Sequence, residues 1–358
     1  MRILVTADTL GGVFTHAVEL AAGLRDEGVE VALATFGRPM SAEQRRRVRS
    51  SGAELVLESS LALEWMPEPW ADLRAAGELL LELERRLRPD VVHLNGFVHG
   101  GMEWQAPVLV AGHSCVCSWW AAVHGEAPPP QWAPYRAAVR RGIAGAAAVT
   151  APTRTMLSEL ERWYGPLPVN SHAVLNGSGY AGATVAPAKR RVALSAGRLW
   201  DEAKNASALM RVAARPRLHD RVLLAGEGES GGEATLLGPL APAALARIRR
   251  AAAVYAAPAL YEPFGLAILE AARDHCALVL GDIPSLRELW DGAAVFVTPG
   301  DDEQLACELE HLLRDPVVTS ALGERARRRA RRYTVPAMTA GYRALYRRLA
   351  GSRHRVAA

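Results

Sequence analysis

The sequence predicts an α/β protein with two doubly wound parallel sheets in tandem. In each half of the chain, short apolar runs typical of buried strands alternate with stretches of helical periodicity. This alternation indicates parallel strand pairing, with helices packed on both faces of each sheet. Residues 178–191 are rich in Gly, Ala and Pro and predict an interdomain linker between the two halves.

The order of these runs shows where functional residues are expected. The first half contains strand-type runs at 2–8, 30–37, 90–96, 107–114, 147–152 and 168–177, and helical stretches at 16–28 and 75–89. The second half contains strand-type runs at 191–199, 221–229, 253–260, 277–284 and 293–300, and helical stretches at 204–214, 241–252, 266–274, 302–314 and 318–332. Open parallel sheets bind ligands at the carboxyl ends of their strands. We therefore expect the functional side chains directly after these runs.

Size and composition place the chain among ordinary globular proteins. Its 358 residues suit two domains, half of them are hydrophobic, and 22% are charged. No apolar run approaches the roughly 20 residues of a membrane-spanning helix. The first residues, MRILVTADTLGG, lack the pattern of a signal peptide and read as a buried strand. We therefore expect a cytoplasmic protein.

Cysteine spacing and basic residues give no sign of a metal centre or a nucleic-acid partner. The four cysteines are Cys115, Cys117, Cys276 and Cys307. Their spacing fits neither a zinc site nor a disulfide framework, so free buried thiols are expected. Among the 42 Lys and Arg residues only Lys189 and Lys204 are lysines, which indicates a composition bias towards arginine. The Arg-rich run 325–332 is therefore predicted as a solvated helix face, whereas a lysine is informative where it occurs.

Two glycines follow the first predicted strand. Gly11 and Gly12 lie in LVTADTLGGVFTH, before a helix that is expected to start near Val13. The unpaired amides and positive dipole end of such a helix favour an anion. A plain flexible turn is the alternative, because these glycines do not form the G-x-G-x-x-G dinucleotide fingerprint.

Two cations follow the first strand of the second half. Arg198 comes directly after the strand, and Lys204 lies six residues further on, at the start of a helix. At the ligand-binding edge of a sheet these cations would clamp a diphosphate. Surface ion pairs with Asp201 or Glu202 are the alternative, but the scarcity of lysine favours a functional role.

Two glutamates surround a tight turn in YEPFGLAILEAARD. Glu262 follows a predicted strand, the Pro-Phe-Gly turn comes next, and Glu270 lies eight residues after Glu262 inside the following helix. Both carboxylates would point towards one small region, beside the unpaired amides at the helix start. A sugar hydroxyl and a ribose diol would each donate to one carboxylate. In the structural alternative Glu262 caps the helix and Glu270 is solvated.

These residues together resemble the retaining glycosyltransferases of family 4, which have the GT-B fold. The segment EPFGLAILE (262–270) is similar to the E-x7-E motif of that family. Further segments are similar to its first glycine loop, its histidine loop, the stretch before its linker, its Arg–Lys pair and its nucleotide-side strand and turn. In that order they are GGVFTH (11–16), AGHS (111–114), LNG (175–177), GRLWDEAKN (197–205) and LLAGEGE (223–229). The resemblance covers nearly the whole chain.

The resemblance implies two Rossmann-like domains that face a central cleft. An N-terminal acceptor-binding domain is expected at 1–178, a linker at 179–190 and a nucleotide-sugar-binding domain at 191–340. The C-terminal helix and tail, residues 341–358, are expected to cross back to the N-terminal domain.

The resemblance also implies a role for each candidate residue. The catalytic residues would be Glu262 on the transferred sugar, His113 near the sugar and the acceptor, and Arg198 and Lys204 on the leaving diphosphate. The donor-binding residues would be Gly11, Gly12, Gly226, Glu227, Phe264, Gly265, Leu266 and, on the ribose hydroxyls, Glu270. The acceptor would meet His16, Trp119 and Trp120.

The expected reaction moves a hexosyl unit from a nucleoside-diphosphate sugar without a cofactor or metal. No D-x-D motif stands at the places expected for a metal-dependent sugar transferase, and Asp301-Asp302 is typical of a helix N-cap. Arg198 and Lys204 are expected to act in place of a divalent ion. A UDP-sugar is the expected donor, with GDP- and ADP-sugars left open.

The acceptor is the least defined part of the prediction. Trp119 and Trp120 fall in residues 114–132, which are expected to form a long loop, and their rings would either stack on an acceptor or pack in the core. The acceptor is expected to be a small molecule, a glycan or a lipid-linked molecule. The Arg-rich C-terminal helices leave a peripheral contact with the inner face of the membrane open. A nucleotide-sugar 2-epimerase and a non-catalytic nucleotide-sugar-binding protein of the same fold are the alternatives.

Overall fold

The computed structural model describes residues 1–228 and 232–356, and it divides the chain into two compact units. The first unit contains residues 1–121, 126–179 and the chain from Thr334 onwards. The second contains Tyr180–Tyr333 and the short segment Ala122–Gly125. The division after Gly179 lies close to the predicted boundary at 178. The return to the first unit comes earlier than the predicted residue 341.

The first unit is built on a parallel sheet with the strand order β3-β2-β1-β4-β5-β6-β7. Its strands are β1 (Arg2–Asp8), β2 (Glu30–Phe36), β3 (Glu54–Glu58), β4 (Val91–Leu94), β5 (Val108–Ala111), β6 (Ala148–Ala151) and β7 (His172–Ala173). Every residue of β4, β5 and β6 is buried. Helices cover both faces of such a sheet, which explains why these strands are mostly apolar, with His93 and Thr150 as buried polar exceptions.

Seven helices of the first unit surround this sheet in the described part of the chain. They are α1 (Gly12–Asp26), α2 (Ala42–Ser51), α3 (Trp70–Leu87), α4 (Val116–His124), α5 (Ala133–Gly145), α6 (Arg154–Tyr164) and α13 (Val335–Val356). Helix α13 belongs to the core of this unit, because Tyr342, Leu345 and Tyr346 pack with the buried face of α1 and with β1. The C-terminal helix thus belongs to the first unit and packs in its hydrophobic core.

The second unit is built on a parallel sheet with the strand order β10-β9-β8-β11-β12-β13. Its strands are β8 (Arg190–Ala196), β9 (Val222–Ala225), β10 (Thr235–Gly238), β11 (Ala252–Ala257), β12 (Ala277–Gly281) and β13 (Val295–Val297). Its helices are α7 (Ala206–Ala213), α8 (Pro242–Ala251), α9 (Leu266–Arg273), α10 (Pro284–Trp290), α11 (Asp302–Arg314) and α12 (Pro316–Ala330). The prediction of two doubly wound parallel sheets is confirmed.

Local sequence explains where several helices begin. Ser41 and Gln44 form a capping box at the start of α2. Asp301 accepts a hydrogen bond from the Gln304 amide, so the predicted N-cap of α11 is confirmed. Asp315 caps α12 in the same way, and Pro316 occupies the first helical position, where no amide hydrogen is needed.

Several expectations differ from the structure. Residues 114–132 do not form a long loop, because Val116–His124 is helical and carries Trp119 and Trp120 on α4. Cys115, Cys117 and Cys276 are buried free thiols as expected, whereas Cys307 is exposed. In residues 1–228 and 232–356, no helix combines the length and the apolar character that crossing a membrane requires. Glu229, part of the predicted turn 221–229, lies outside the described residues.

Candidate active site

The strand order brings three loops of the second unit together. Strand β8 lies between β9 and β11, and all three run parallel, so the loops after them leave the same edge of the sheet. The loop after β8 carries Arg198 and Lys204, the loop after β9 carries Gly226, and the loop after β11 carries Glu262. These residues were predicted from three separate segments of the sequence.

Arg198 forms an ion pair with Asp201, which is one of the two pairings given above as the alternative to a functional role. Its guanidinium lies 3.0 Å from Asp201 Oδ2 and 5.5 Å from the centre of the Trp200 ring. Asp201 is itself fixed, because its Oδ1 accepts the Ala203 amide at 3.1 Å. The Arg198 side chain is 44% exposed, so the guanidinium is oriented by Asp201 and remains accessible to a ligand.

Lys204 and Glu262 form a close ion pair. Lys204 Nζ lies 2.7 Å from Glu262 Oε2, and both side chains are mostly buried. Two hydrogen bonds hold the segments that carry them: Asn205 Nδ2 donates to the Pro258 carbonyl at 3.0 Å, and the Leu260 amide donates to the Ala203 carbonyl at 2.9 Å. Because backbone contacts fix both partners, this pair is a preformed feature of the site.

The Pro-Phe-Gly turn lies between β11 and α9 and directly precedes the first residue of α9. Gly265 has φ 84° and forms the N-cap of α9, a conformation that L side chains rarely adopt. Phe264 is buried beneath the turn, and the Ser285 hydroxyl donates to the Glu262 carbonyl at 2.7 Å. Among the residues that the structure describes, no side-chain hydrogen bond caps α9, so the alternative in which Glu262 caps this helix is not the arrangement observed. The amides at Phe264, Gly265 and Leu266 stand at a helix N-terminus, which favours an anion.

Glu270 lies on α9 and is not simply solvated. Arg249 Nη1 donates to Glu270 Oε2 at 2.7 Å, and the Glu270 side chain is 28% exposed. The carboxylate therefore combines a buried cationic partner with access to solvent.

The glycine turn after β9 packs tightly against the loop that carries Arg198. A Cβ on Gly226 would overlap the Gly197 carbonyl oxygen. The Leu199 amide donates to the Glu227 carbonyl at 2.8 Å. Gly226 and Glu227 thus support the Arg198 loop through their backbone, a contact that no side chain at 226 would permit.

In the first unit, the histidine loop after β5 meets the loop after β4. His113 Nε2 lies 2.7 Å from Asn95 Oδ1, and Asn95 Nδ2 donates to the Thr6 carbonyl at 2.6 Å. Because the amide nitrogen of Asn95 is committed to Thr6, the oxygen faces His113, and Nε2 of His113 carries the proton. Burial lowers the pKa of His113 to about 4. The imidazole is therefore neutral near pH 7, with Nδ1 as its lone-pair nitrogen.

Gly11 and Gly12 are located where the first strand gives way to a helix. Gly11 has φ 95° and is the N-cap of α1, which begins at Gly12. The Leu10 amide donates to Asp8 Oδ1 at 3.1 Å and closes the turn. The predicted glycine turn therefore ends at a helix N-terminus that no side chain of the described residues caps, and such a terminus favours an anion.

His16 lies underneath His113 and not at the surface. Its side chain is 1% exposed, and its ring meets the His113 ring at a centroid distance of 4.5 Å. This burial argues against the predicted acceptor contact and indicates a supporting position. His93 completes the cluster, with Nδ1 2.6 Å from the Tyr346 hydroxyl of α13. Burial lowers the pKa of His93 to about 3, and burial followed by the charges of His113 and His93 lowers that of His16 well below its ordinary value.

Trp119 and Trp120 are half-buried on α4, with ring centroids 6.3 Å apart. They occur shortly after His113 in the chain. Their partial exposure leaves apolar ring surface that a ligand can cover.

Two residues of the site were missed by sequence reasoning. Asn95 follows β4 directly, so the rule that functional residues follow strands provided a signal for it. Arg249 lies inside α8, within an Arg-rich helix, and no sequence signal separates it from its neighbours. In residues 1–228 and 232–356, no group of three or more His, Cys, Asp or Glu side chains is arranged to hold a metal ion.

Comparison with known proteins identifies the family. Residues 10–177 match the profile of Glycosyltransferase Family 4, and residues 190–315 match that of Glycosyl transferases group 1. The first matched segment contains strands β2 to β7, the second contains β8 to β13, and together they contain every site residue predicted from the sequence.

Two relatives and two solved structures agree with these profiles. A phosphatidyl-myo-inositol mannosyltransferase of Mycolicibacterium smegmatis is 30% identical over 46% of this chain, and the match spans 47% of the relative's length. A D-inositol 3-phosphate glycosyltransferase of Kineococcus radiotolerans is 28% identical over 94% of this chain and 90% of its own.

The structural neighbours extend over almost the whole fold. Sucrose-phosphate synthase from Thermosynechococcus elongatus is 18% identical, covers 98% of this chain and 100% of its own, and has a TM-score of 0.80. Anabaena HepE, solved in complex with UDP-glucose, is 16% identical with the same coverage and a TM-score of 0.75. Sheet topology, family profiles and structural neighbours thus show that the chain belongs to the nucleotide-sugar glycosyltransferases of the GT-B fold, of the family 4 type.

Proposed function

We propose that this protein is a retaining hexosyltransferase that takes a hexosyl unit from a nucleoside-diphosphate sugar and needs no metal. The observation that carries the proposal is the preformed Lys204–Glu262 pair at 2.7 Å, beside Arg198 and the N-terminus of α9. A leaving diphosphate would meet these cations and amides, and the transferred sugar would meet the Glu262 carboxylate.

The leaving diphosphate gains negative charge as the glycosidic bond breaks. Arg198 and Lys204 would neutralise that charge, and the amides at Phe264, Gly265 and Leu266 would donate hydrogen bonds to phosphate or sugar oxygens. Because backbone contacts already fix Lys204 and because Asp201 orients Arg198, little reorganisation is needed when the charge develops.

Glu262 and Glu270 would act on the two ends of the donor. Lys204 pairs with Glu262, and on donor binding we expect Lys204 to be shared with the diphosphate. Glu262 would then accept a hydrogen bond from the sugar and stabilise positive charge on its ring. Glu270 would accept hydrogen bonds from the ribose hydroxyls, and neutral His113 would accept one from the sugar or acceptor at Nδ1.

UDP-sugars are the first donors to examine, and inositol phosphates the first acceptors. The complex of HepE with UDP-glucose supports a uridine donor, and GDP- and ADP-sugars remain the alternatives. Both sequence relatives are named for substrates that contain inositol, which supports a polyol acceptor. Glycans and lipid-linked acceptors are the next classes to test, and the latter would involve a peripheral membrane contact.

The experiment that tests the proposal measures release of the nucleoside diphosphate from UDP-, GDP- and ADP-sugars, with acceptors present, before and after EDTA treatment. We expect one donor base to stand out, with the same rate in EDTA, because Arg198 and Lys204 supply the positive charge. Loss of turnover in EDTA that Mg²⁺ restores would contradict metal independence. A product with inverted anomeric configuration in NMR spectra would contradict retention, and interconversion of the donor without an acceptor would favour the epimerase.

Trp120 provides a test of where the acceptor binds. Replacing Trp120 with Ala removes ring surface on α4 and should raise the acceptor KM more than the donor KM, with about a tenfold change for the acceptor, as expected for loss of one stacking contact. Trp163, half-buried on α6, serves as the control, and its replacement with Ala should leave the ratio of the two KM values unchanged. Equal changes in both KM values of the Trp120→Ala variant would count against the acceptor role.

A further inference from the structure

A buried arginine stands behind the carboxylate that we assign to the ribose. Arg249 lies near the end of α8 and is 3% exposed. Arg247 and Arg250 on the same helix are both exposed. The Nη1 of Arg249 donates to Glu270 Oε2 at 2.7 Å. No sequence signal separates this arginine from Arg250, so the distinction comes from the fold alone.

Arg249 is itself held in place from two further sides. Its Nε donates to Asp274 Oδ2 at 2.8 Å, and Asp274 is completely buried. The Tyr180 hydroxyl lies 2.8 Å from both oxygens of Asp274, and the Tyr180 ring lies 4.5 Å from the guanidinium carbon of Arg249. The guanidinium is therefore fixed in position and in the plane it adopts.

Glu270 and Asp274 are one helical turn apart at the end of α9, so both face α8. The planar guanidinium contacts Glu270 from one nitrogen and Asp274 from another, which fixes the direction of each hydrogen bond as well as its length. A lysine in the same place would carry the charge but could not reproduce this fork.

Stability alone is a weak reason for such an arrangement. Removing three charged groups from water is costly, and buried ion pairs are often no more stabilising than apolar residues of the same size. One member of the network, Glu270, nevertheless keeps 28% of its side chain exposed. The network therefore ends at an accessible carboxylate whose orientation it determines.

We propose that Arg249 is a positioning residue, which holds the Glu270 carboxylate in the orientation that accepts hydrogen bonds from the two ribose hydroxyls of the donor. The inference rests on the proposed function, because it requires that Glu270 binds ribose. Asp274 and Tyr180 fix Arg249, and Arg249 in turn fixes Glu270.

The test compares binding of UDP with that of 2′,3′-dideoxy-UDP, by calorimetry on the full chain. The ratio of the two dissociation constants measures what the ribose hydroxyls contribute. Wild-type protein should prefer UDP by at least about tenfold, the usual effect of hydrogen bonds to a charged group. Glu270→Gln should lower this ratio strongly, and Arg249→Met should lower it to a similar value. A general electrostatic effect on the diphosphate would change both constants and leave their ratio intact.

Arg250→Met is the matched control. Arg250 contacts the Tyr180 hydroxyl at 3.1 Å and lies 3.5 Å from Asp274. The hydrogen bond to Glu270 comes from Arg249 and not from Arg250. This variant removes the same charge from the neighbouring position and should keep the wild-type ratio. A wild-type ratio in Arg249→Met would overturn the proposal, as would an equal loss in Arg250→Met.

A second variant covers the case in which Arg249→Met does not fold. Arg249→Lys keeps the positive charge beside Asp274 but lacks the planar fork, so it should bind dideoxy-UDP as wild type does and still show a reduced ratio. If Arg249→Lys keeps the full ratio, the positioning role is wrong. If the wild-type protein itself shows no preference for UDP over dideoxy-UDP, the ribose role of Glu270 fails first, and the two failures are thus distinguishable.

Discussion

Replacing Lys204 with Met should lower kcat/KM for the nucleotide sugar by about 10²- to 10³-fold, the usual effect of removing one group that stabilises developing charge. Two losses combine in this variant. The diphosphate loses a cation, and Glu262 loses the partner that lies 2.7 Å from it. An unpaired carboxylate at this place would also repel the anionic donor. Initial rates with the best donor, measured over a range of donor concentrations, give the change directly.

Two further variants show whether this effect is specific. Arg211→Met removes a cation from the exposed side of α7, where Arg211 pairs with Asp302, and should change kcat/KM by less than about twofold. Glu262→Gln should retain binding of the nucleoside diphosphate and lose turnover, because the carboxylate acts on the sugar. Wild-type turnover in Lys204→Met or in Glu262→Gln would contradict the assigned roles.

Acidification should destabilise the first unit through its buried histidines. His113 and His93 have pKa values of about 4 and about 3 in the folded protein, and the pKa of His16 is also strongly lowered. In the unfolded chain a histidine titrates near 6.5. Below that pH the unfolded state binds more protons than the folded state, so the free energy of unfolding falls as the pH falls from 6.5 towards 4. From pH 7.5 to 5.5 the loss is roughly 1 kcal/mol for each histidine, and a few kcal/mol for the three together.

Urea unfolding at pH 7.5, 6.5 and 5.5 measures this loss. Replacing His16 with Phe removes one titrating ring from the cluster, which also contains Tyr342 and Tyr346 of α13, and should reduce the pH dependence by about a third of the total. His311→Gln, at an exposed position on α11, should not change it. A free energy of unfolding that stays constant between pH 7.5 and 5.5 would contradict the buried, neutral state of these rings.

Strands could be predicted from the sequence where consecutive buried residues form a continuous apolar run. The strands β1, β8 and β12 are examples, and each has at least three consecutive buried residues. The edge strands β3 and β10 were missed because they are short and only partly buried, so their residues show no such run. The prolines after His124 suggested a loop for residues 114–132, but they lie beyond the end of α4 and do not interrupt it.

The candidate site was predictable where function follows strand ends. Arg198, Lys204 and Glu262 each occur just after a strand, and parallel strand order brings them together. The partners of these residues were less accessible to sequence reasoning. The contact between Arg249 and Glu270 joins two helices, and the approach of His16 to His113 depends on how α1 packs against the first sheet. Such pairings are set by tertiary geometry, which a single sequence does not contain.

The most direct test of the central claim is the thermal stability of wild-type protein and Lys204→Met with UDP, GDP and ADP, each in EDTA. A ligand at about 100 times its dissociation constant stabilises the fold by roughly 2.7 kcal/mol, which a melting curve resolves. We predict that one diphosphate raises the melting temperature of the wild-type protein without metal, and that the shift is largely lost in Lys204→Met. No shift with any diphosphate, or the same shift in both proteins, would contradict a nucleotide-sugar site built around Lys204 and Glu262.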